Sequence, residues 1–316
     1  MADKDISTKV SYRDTLKSMD TEETFDLIFY RPIGYAWACL AKKLGITPNA
    51  ITIASIFIGI GAGVMFYFND IWLNVVGIIL LVWATSFDSA DGQLARMTKQ
   101  YSRIGRILDG VSSDLWFIAI YFAICFRSNA TNDFFPHTPW LIWVVAIIAG
   151  FFHGQQAAIA DYYRNIHLYF LKGEEGSELD SSAQIKENFS QLSWCSKKWF
   201  QKLVLFFYFN YTKSQERLTP AMQHLRKAIA KKWGNDVPSQ EFRDAFRAKS
   251  LPMMKYTNML SFNTRTFALF ASILIGMPWL YFIFELIVLN IMLIYMICRY
   301  ERFCRRFIKE LEDGKY

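Results

Sequence analysis

Three carboxylates, two glycines and an arginine fall within one run of 22 residues: Asp88, Asp91, Gly92, Arg96, Gly105 and Asp109. Long apolar stretches lie on both sides of it. A carboxylate at membrane depth is costly unless it binds a cation or faces a polar cavity, so several clustered there mark a site. Asp88 and Asp91 are spaced i, i+3, about 60° apart on a helix, and both can point at one cation. Gly92 lacks a Cβ and lets a ligand approach the backbone closely. Arg96 follows about one turn later, where its planar fork can meet a phosphate oxygen. Oxygen ligands without Cys or His suit Mg²⁺ or Mn²⁺.

The rest of the chain must hold these groups in an apolar setting. Apolar residues make up 53% of the 316 residues and aromatics 17%, and several stretches approach the roughly 20 residues that span a bilayer. The five cysteines show no CxxC spacing and read as reduced, mostly buried thiols; the four histidines have no ligand spacing. The net charge of +7 comes with basic residues beside apolar segments, which favours an anionic lipid surface over nucleic acid, for which no motif is present. Residues 1–20 are charged and lack the pattern of a cleavable signal peptide.

The expected fold is all-α and polytopic, with six transmembrane helices. Residues 1–47 form a polar tail and, from Phe25 to Leu44, an amphipathic helix on the membrane surface. Spans are expected near 50–68, 71–90, 105–126 and 138–160, with a polar loop at 97–104, so that 48–162 carries the motif. Residues 163–256 are polar, charged and helical. Within them Trp194 to Tyr211 either lies in the membrane interface, with Lys197, Lys198 and Lys202 toward lipid phosphates, or belongs to a soluble helical insert. Spans near 258–275 and 279–298 and a charged tail complete 257–316. Lys and Arg collect on the motif loop, the insert and the C-terminal tail, and the opposite loops hold only Arg127, which places the motif on the cytoplasmic side.

The run Asp88-x-x-Asp91-Gly92-x-x-Ala95-Arg96, eight residues, Gly105-x-x-x-Asp109 resembles the signature of the CDP-alcohol phosphotransferases. The resemblance departs at the last aspartate, whose place is taken by Ser113 with Asp114 next. It implies two divalent ions held by Asp88, Asp91, Asp109 and the final carboxylate. It also implies a CDP-alcohol lying against Gly92, Ala95, Arg96 and Gly105, a polar hydroxyl acceptor, a general base at the final aspartate, and a homodimer in membrane lipid. Asp114 can fill the base and metal slot only if a π-bulge between 109 and 114 swings it round, because a regular helix turns it about 140° from Asp109. Otherwise the base comes from elsewhere or the enzyme is inactive.

Softer matches add to this. Thr47-Pro48-Asn49 followed by Thr52 resembles the family's opening of the first span, beside the nucleotide, and is equally an ordinary helix start. Ser102-Arg103-Ile104-Gly105 resembles the inositol-lipid branch, where Arg103 would suit an anionic acceptor; it also fits a cytoplasmic arginine obeying the charge rule. His153, Gln155, Gln156, Asp161, Arg164, Asn263 and Arg265 either bind acceptor or satisfy one another, while Glu285 and Asn290 read as interhelical hydrogen-bond partners. The implied activity is transfer of a phosphatidyl group from CDP-diacylglycerol to inositol phosphate or inositol. Transfer of a phospho-aminoalcohol to diacylglycerol, a prenyltransferase with its own aspartate motifs, and an inactive lipid-binding scaffold are the alternatives.

Overall fold

In a computed structural model of the protein, residues 12–15, 18, 20–100, 103–172, 181–192, 199–234 and 236–316 are described, and among them there is no strand. The helices are α1 Arg31–Leu44, α2 Pro48–Tyr67, α3 Ile71–Thr98, α4 Arg103–Thr131, α5 Leu141–Lys172, α6 Ser182–Ser190, α7 Trp199–Leu218, α8 Pro220–Trp233, α9 Gln240–Ser250, α10 Met254–Met259, α11 Phe262–Leu274 and α12 Leu280–Glu312. Five of them contain stretches long and apolar enough to cross a membrane: α2, α3, Gly110–Thr131 of α4, Leu141–Leu171 of α5, and α12. The protein is a polytopic, all-α membrane protein. The fold class stands as expected, with one span treated differently.

That span is the expected fifth. Its residues form α10 and α11, broken by a turn at Leu260 and Ser261. Arg265 explains the break, because its Nε and Nη2 donate to the Leu260 carbonyl at 3.3 and 3.2 Å, an acceptor a continuous helix would use for its own ladder. The 13 residues of α11 extend about 20 Å, short of the ~30 Å apolar layer.

The chain divides into two compact units, one of residues 1–146 and 267–281, the other of residues 147–266 and 282–316. In the first unit, α2, α3 and α4 pack closely because small residues stand at the crossings. A Cβ on Gly59 would lie 2.2 Å from Trp116 Cδ1, and one on Gly63 3.0 Å from the backbone of Ala119. Asp70 caps α3 by accepting from the amides of Trp72 and Leu73, both at 2.9 Å. At the same end Arg127 is buried. Its guanidinium donates to the Phe66 carbonyl (3.2 Å), Asn74 (3.1 Å) and Asn69 (2.9 Å), pinning the ends of α2, α3 and α4. The one basic residue counted on the opposite side is therefore a buried clamp.

The surface helix also lies in the first unit. A π turn, Asp26–Tyr30, leads into α1, whose Gly34, Ala38 and Ala41 are buried while Leu40 and Leu44 are exposed. Ala38 and Ala41 share a core cluster with Ala90, Leu94 and Met97, so the small-residue face of α1 sits on the C-terminal part of α3. This burial keeps α3 helical to Thr98, past the expected end near 90, and it stops at Lys99 in the left-handed conformation (φ 54°).

The second unit is a helical body built on the ends of α5 and α12. Tyr163 and Tyr300 stack at 3.7 Å and share a core with Met222, Leu225 and Ile229 of α8 and Phe242 and Phe246 of α9. Glu301 of α12 accepts from the amides of Ala221 (2.7 Å) and Met222 (3.3 Å), supplying α8 with the N-terminal cap that Thr219 does not. The basic-aromatic piece is partly resolved into α7; residues 193–198, with Lys197 and Lys198, lie outside the described residues. The later part of α7 packs on α5, since the Tyr211 hydroxyl donates to Asp161 (3.1 Å) and Gln215 Nε2 to the Ala158 carbonyl (2.9 Å).

Candidate active site at the end of α3

Asp88, Asp91, Gly92, Ala95 and Arg96 all lie on α3, so the motif is one helical surface and not a loop. Its positions separate by face. Asp88, Gly92, Ala95 and Arg96 are half-buried and form a partly open stripe at i, i+4, i+7 and i+8, whereas Ala90, Leu94 and Met97 are buried. Asp91 is turned inward and is 3% exposed.

Both carboxylates are held by hydroxyls from neighbouring helices. Thr52 of α2 donates to Asp91 Oδ2, and Ser112 of α4 donates to Asp88 Oδ1 at 2.7 Å. Thr52 and Ser112 are themselves buried. Buried carboxylates need donors or cations to offset desolvation. A pair on adjacent turns, pre-oriented by two hydroxyls and offering only oxygen, fits a hard divalent cation. Thr52 was expected at the nucleotide; the structure aims it at a carboxylate.

The open stripe has room. A Cβ built on Gly92 would come no nearer to another side chain than 3.5 Å, to the guanidinium of Arg96. Arg96 Nε donates to the Thr15 carbonyl at 2.6 Å. Behind the stripe, Arg31 forms a paired contact with Glu22 (3.0 Å from Nε and from Nη2) and reaches Ser89 Oγ at 3.4 Å, while Gln93 Nε2 donates to the Arg31 carbonyl at 3.1 Å. These bonds key the start of α1 onto the motif helix. Neither they nor Ser112 was singled out from sequence, since the register between helices selects them.

On α4 the structure departs from one expectation. The helix is α without a π turn across 109–114, and Asp114 is exposed. The bulge that would bring Asp114 to the carboxylates is absent, and a regular helix turns it about 140° from Asp109. Ser113, one turn beyond Asp109, is half-buried, and Ser112 beside it makes the contact to Asp88. Gly105 is half-buried on α4. The side chains of Arg103 and Asp109 lie outside the described residues, although both positions are helical.

The polar residues of the second unit form their own network. Glu285, fully buried, ion-pairs with Arg265 and hydrogen-bonds His153 Nδ1 at 2.7 Å. Gln156 accepts from Arg265 Nη2 (2.7 Å) and donates to Asn290 (2.8 Å) and to the Glu285 carbonyl (3.1 Å). Glu285 sits in the π turn Phe284–Leu289. Within this set His153, Gln156, Arg265, Glu285 and Asn290 bond one another, and Arg164 donates to Asn258 at 3.3 Å.

Residues 45–161 match the family model described as CDP-alcohol phosphatidyltransferase. Among curated proteins, a CDP-diacylglycerol–glycerol-3-phosphate 3-phosphatidyltransferase of Cereibacter sphaeroides is 33% identical over 102 residues, 32% of this chain and 43% of that protein. An archaetidylinositol phosphate synthase of Pyrococcus horikoshii is 42% identical over 82 residues, 26% of this chain and 42% of its own. The alignments thus span less than half of either relative. No solved structure matches the chain. The match covers α2, α3, α4 and most of α5, with both carboxylates and the hydroxyls that hold them. Over residues 45–161 the chain is thus similar to the CDP-alcohol phosphatidyltransferases.

Proposed function

We propose that this protein transfers a phosphatidyl group from CDP-diacylglycerol to a hydroxyl acceptor, inositol phosphate or inositol, and releases CMP. The observation that carries the reading is the pair of hydroxyl-anchored carboxylates, Asp88 and Asp91, beside the partly open stripe of Gly92, Ala95 and Arg96. The inositol side rests on Arg103 and on the likeness to a relative named for inositol phosphate.

Asp88, Asp91 and Asp109 would hold Mg²⁺ or Mn²⁺, which when bound neutralises the pyrophosphate and stabilises the leaving CMP. Thr52 and Ser112 keep two of these carboxylates in place, so less ordering is left to binding. Gly92, Ala95 and Gly105 leave space for the cytidine diphosphate, and Arg96 offers its remaining donors to a phosphate oxygen. The acceptor oxygen forms a new bond to the phosphorus that carries diacylglycerol. The bond from that phosphorus to CMP breaks, and CMP leaves with the electron pair. The acceptor proton passes to a base. Asp114 can take that part only if its turn of α4 rotates from the position observed, and Asp109 is the carboxylate one turn before Ser113.

The distribution of Lys and Arg supports a cytoplasmic motif end, where nucleotide-activated donors occur. The test is full-length protein with labelled CDP-diacylglycerol, Mn²⁺ or Mg²⁺, and a panel of hydroxyl acceptors. CMP release should require the metal and rise with inositol phosphate or inositol. Asp88→Asn and Asp91→Asn should each abolish it while the protein remains in the membrane. Near-normal turnover in either variant would remove the metal assignment, and no CMP release from the unaltered protein would leave the scaffold reading.

A further inference from the structure

The C-terminal helix changes character along a single face in the second unit. Ile287, Ile291 and Tyr295 are exposed and spaced i, i+4, i+8, and the next positions in that row are the exposed Arg299 and Arg302. The row therefore passes from aliphatic to aromatic to cationic in about four turns.

A second helix flanks the transition. Tyr256 of α10 meets Tyr295 edge to face, with ring centroids 5.3 Å apart, and Lys255 Nζ lies 4.7 Å from the Tyr256 ring centre. Hydrogen bonding to Lys255 and its charge, with smaller contributions from Tyr295 and Arg299, hold the Tyr256 phenol below its ordinary pKa. Lys255 is exposed, and among the described residues no carboxylate pairs with Lys255, Arg299 or Arg302. Unpaired cations and phenols at the end of an exposed aliphatic stripe match the order of groups in a membrane phospholipid. Acyl chains fit the isoleucines, the ester region the tyrosines, and a phosphate the cations.

We infer that Lys255, Tyr256, Tyr295, Arg299 and Arg302, all in the second unit and none of them part of the carboxylate motif, form a binding site for the headgroup of an anionic phospholipid. The site needs no turnover, so it stands or falls separately from the proposed transferase activity. Tyr256 and Tyr295 give it geometry, which a diffuse basic surface would lack.

Native mass spectrometry of the full-length protein released from phosphatidylcholine nanodiscs doped with phosphatidylglycerol tests this directly. The unaltered protein should retain phosphatidylglycerol in preference to phosphatidylcholine. Lys255→Gln and Arg299→Gln should each weaken retention by about fivefold, the usual effect of one basic residue near a charged bilayer. Tyr256→Phe, which leaves every charge in place, should weaken it as well. Lys231→Gln on α8, equally exposed and basic, should not. No preference for phosphatidylglycerol in the unaltered protein overturns the inference whatever the variants do. So does an equal loss from Lys231→Gln, which would reduce the effect to net charge. Displacement of the lipid by the soluble headgroup glycerophosphoglycerol would show a free phosphodiester site, and would overturn the assignment to membrane lipid.

Discussion

Removing the Ser112 hydroxyl is the sharpest probe of the carboxylate pair. Ser112 is fully buried, and its Oγ lies 2.7 Å from Asp88 Oδ1. A hydrogen bond to a charged group contributes about 1.5–3 kcal/mol, which at ~1.4 kcal/mol per decade corresponds to about 10–150-fold. Residues that orient metal ligands typically change metal affinity by about 10–100-fold. Asp88 is only half-buried, so water can replace part of the lost donor and the lower end applies. Ser112→Ala should therefore raise the Mn²⁺ dissociation constant about tenfold. The same shift should appear in the Mn²⁺ concentration needed for half-maximal CMP release. Ser112→Thr keeps the hydroxyl and should restore both. Calorimetric titration of the purified protein with Mn²⁺ is the assay, with a thermal melt in chelator to separate folding from binding. A Ser112→Ala protein with unchanged Mn²⁺ affinity would refute the reasoning. The hydroxyl would then satisfy Asp88 in the empty protein without orienting it for a cation.

Further predictions follow from other parts of the molecule. Asp114→Asn should lower turnover only modestly, because Asp114 is exposed on an unbroken α-helix; a fall of about 10²–10⁴-fold would restore it as the general base and require α4 to rearrange. Arg265→Gln leaves Glu285 buried without its guanidinium and should destabilise the second unit by about 3–5 kcal/mol, read as a lower melting temperature in detergent. An unchanged melt would mean that His153 carries the compensating charge. Cysteine placed at the exposed His137 should react with an impermeant maleimide from outside intact cells, and one at Lys231 should not; the reverse pattern would invert the orientation.

Asp88, Asp91, Gly92 and Arg96 were legible in the sequence because they share one helix, and on a helix spacing alone decides which groups share a face. The apolar spans were legible for a related reason, since each depends on local composition over about 20 residues. The extension of α3 to Thr98 was less visible. The apolar span was expected to end near 90 and the loop to begin at 97, and the helix is kept through Thr98 by burial of Ala90, Leu94 and Met97 with α1. The fifth expected span failed for a comparable reason, because Arg265, distant from any helix-breaking residue type, takes the Leu260 carbonyl and pairs with Glu285.

What only the tertiary structure decided is how partners from different helices meet. Thr52 is 39 residues from Asp91, and Ser112 is 24 from Asp88. No periodicity selects either, because the register between two packed helices is set by side-chain volumes at their crossing, as where Gly77 of α3 leaves room for Phe66 of α2, whose ring would lie 2.7 Å from a Cβ there. The sequence by itself determined the chemistry on offer: oxygen ligands, a phosphate-seeking arginine and a membrane to hold them. The packing determined which carboxylates are anchored and by which hydroxyls, and that Asp114 is exposed on an unbroken α4, because an unbroken helix allows only one direction for each residue it carries.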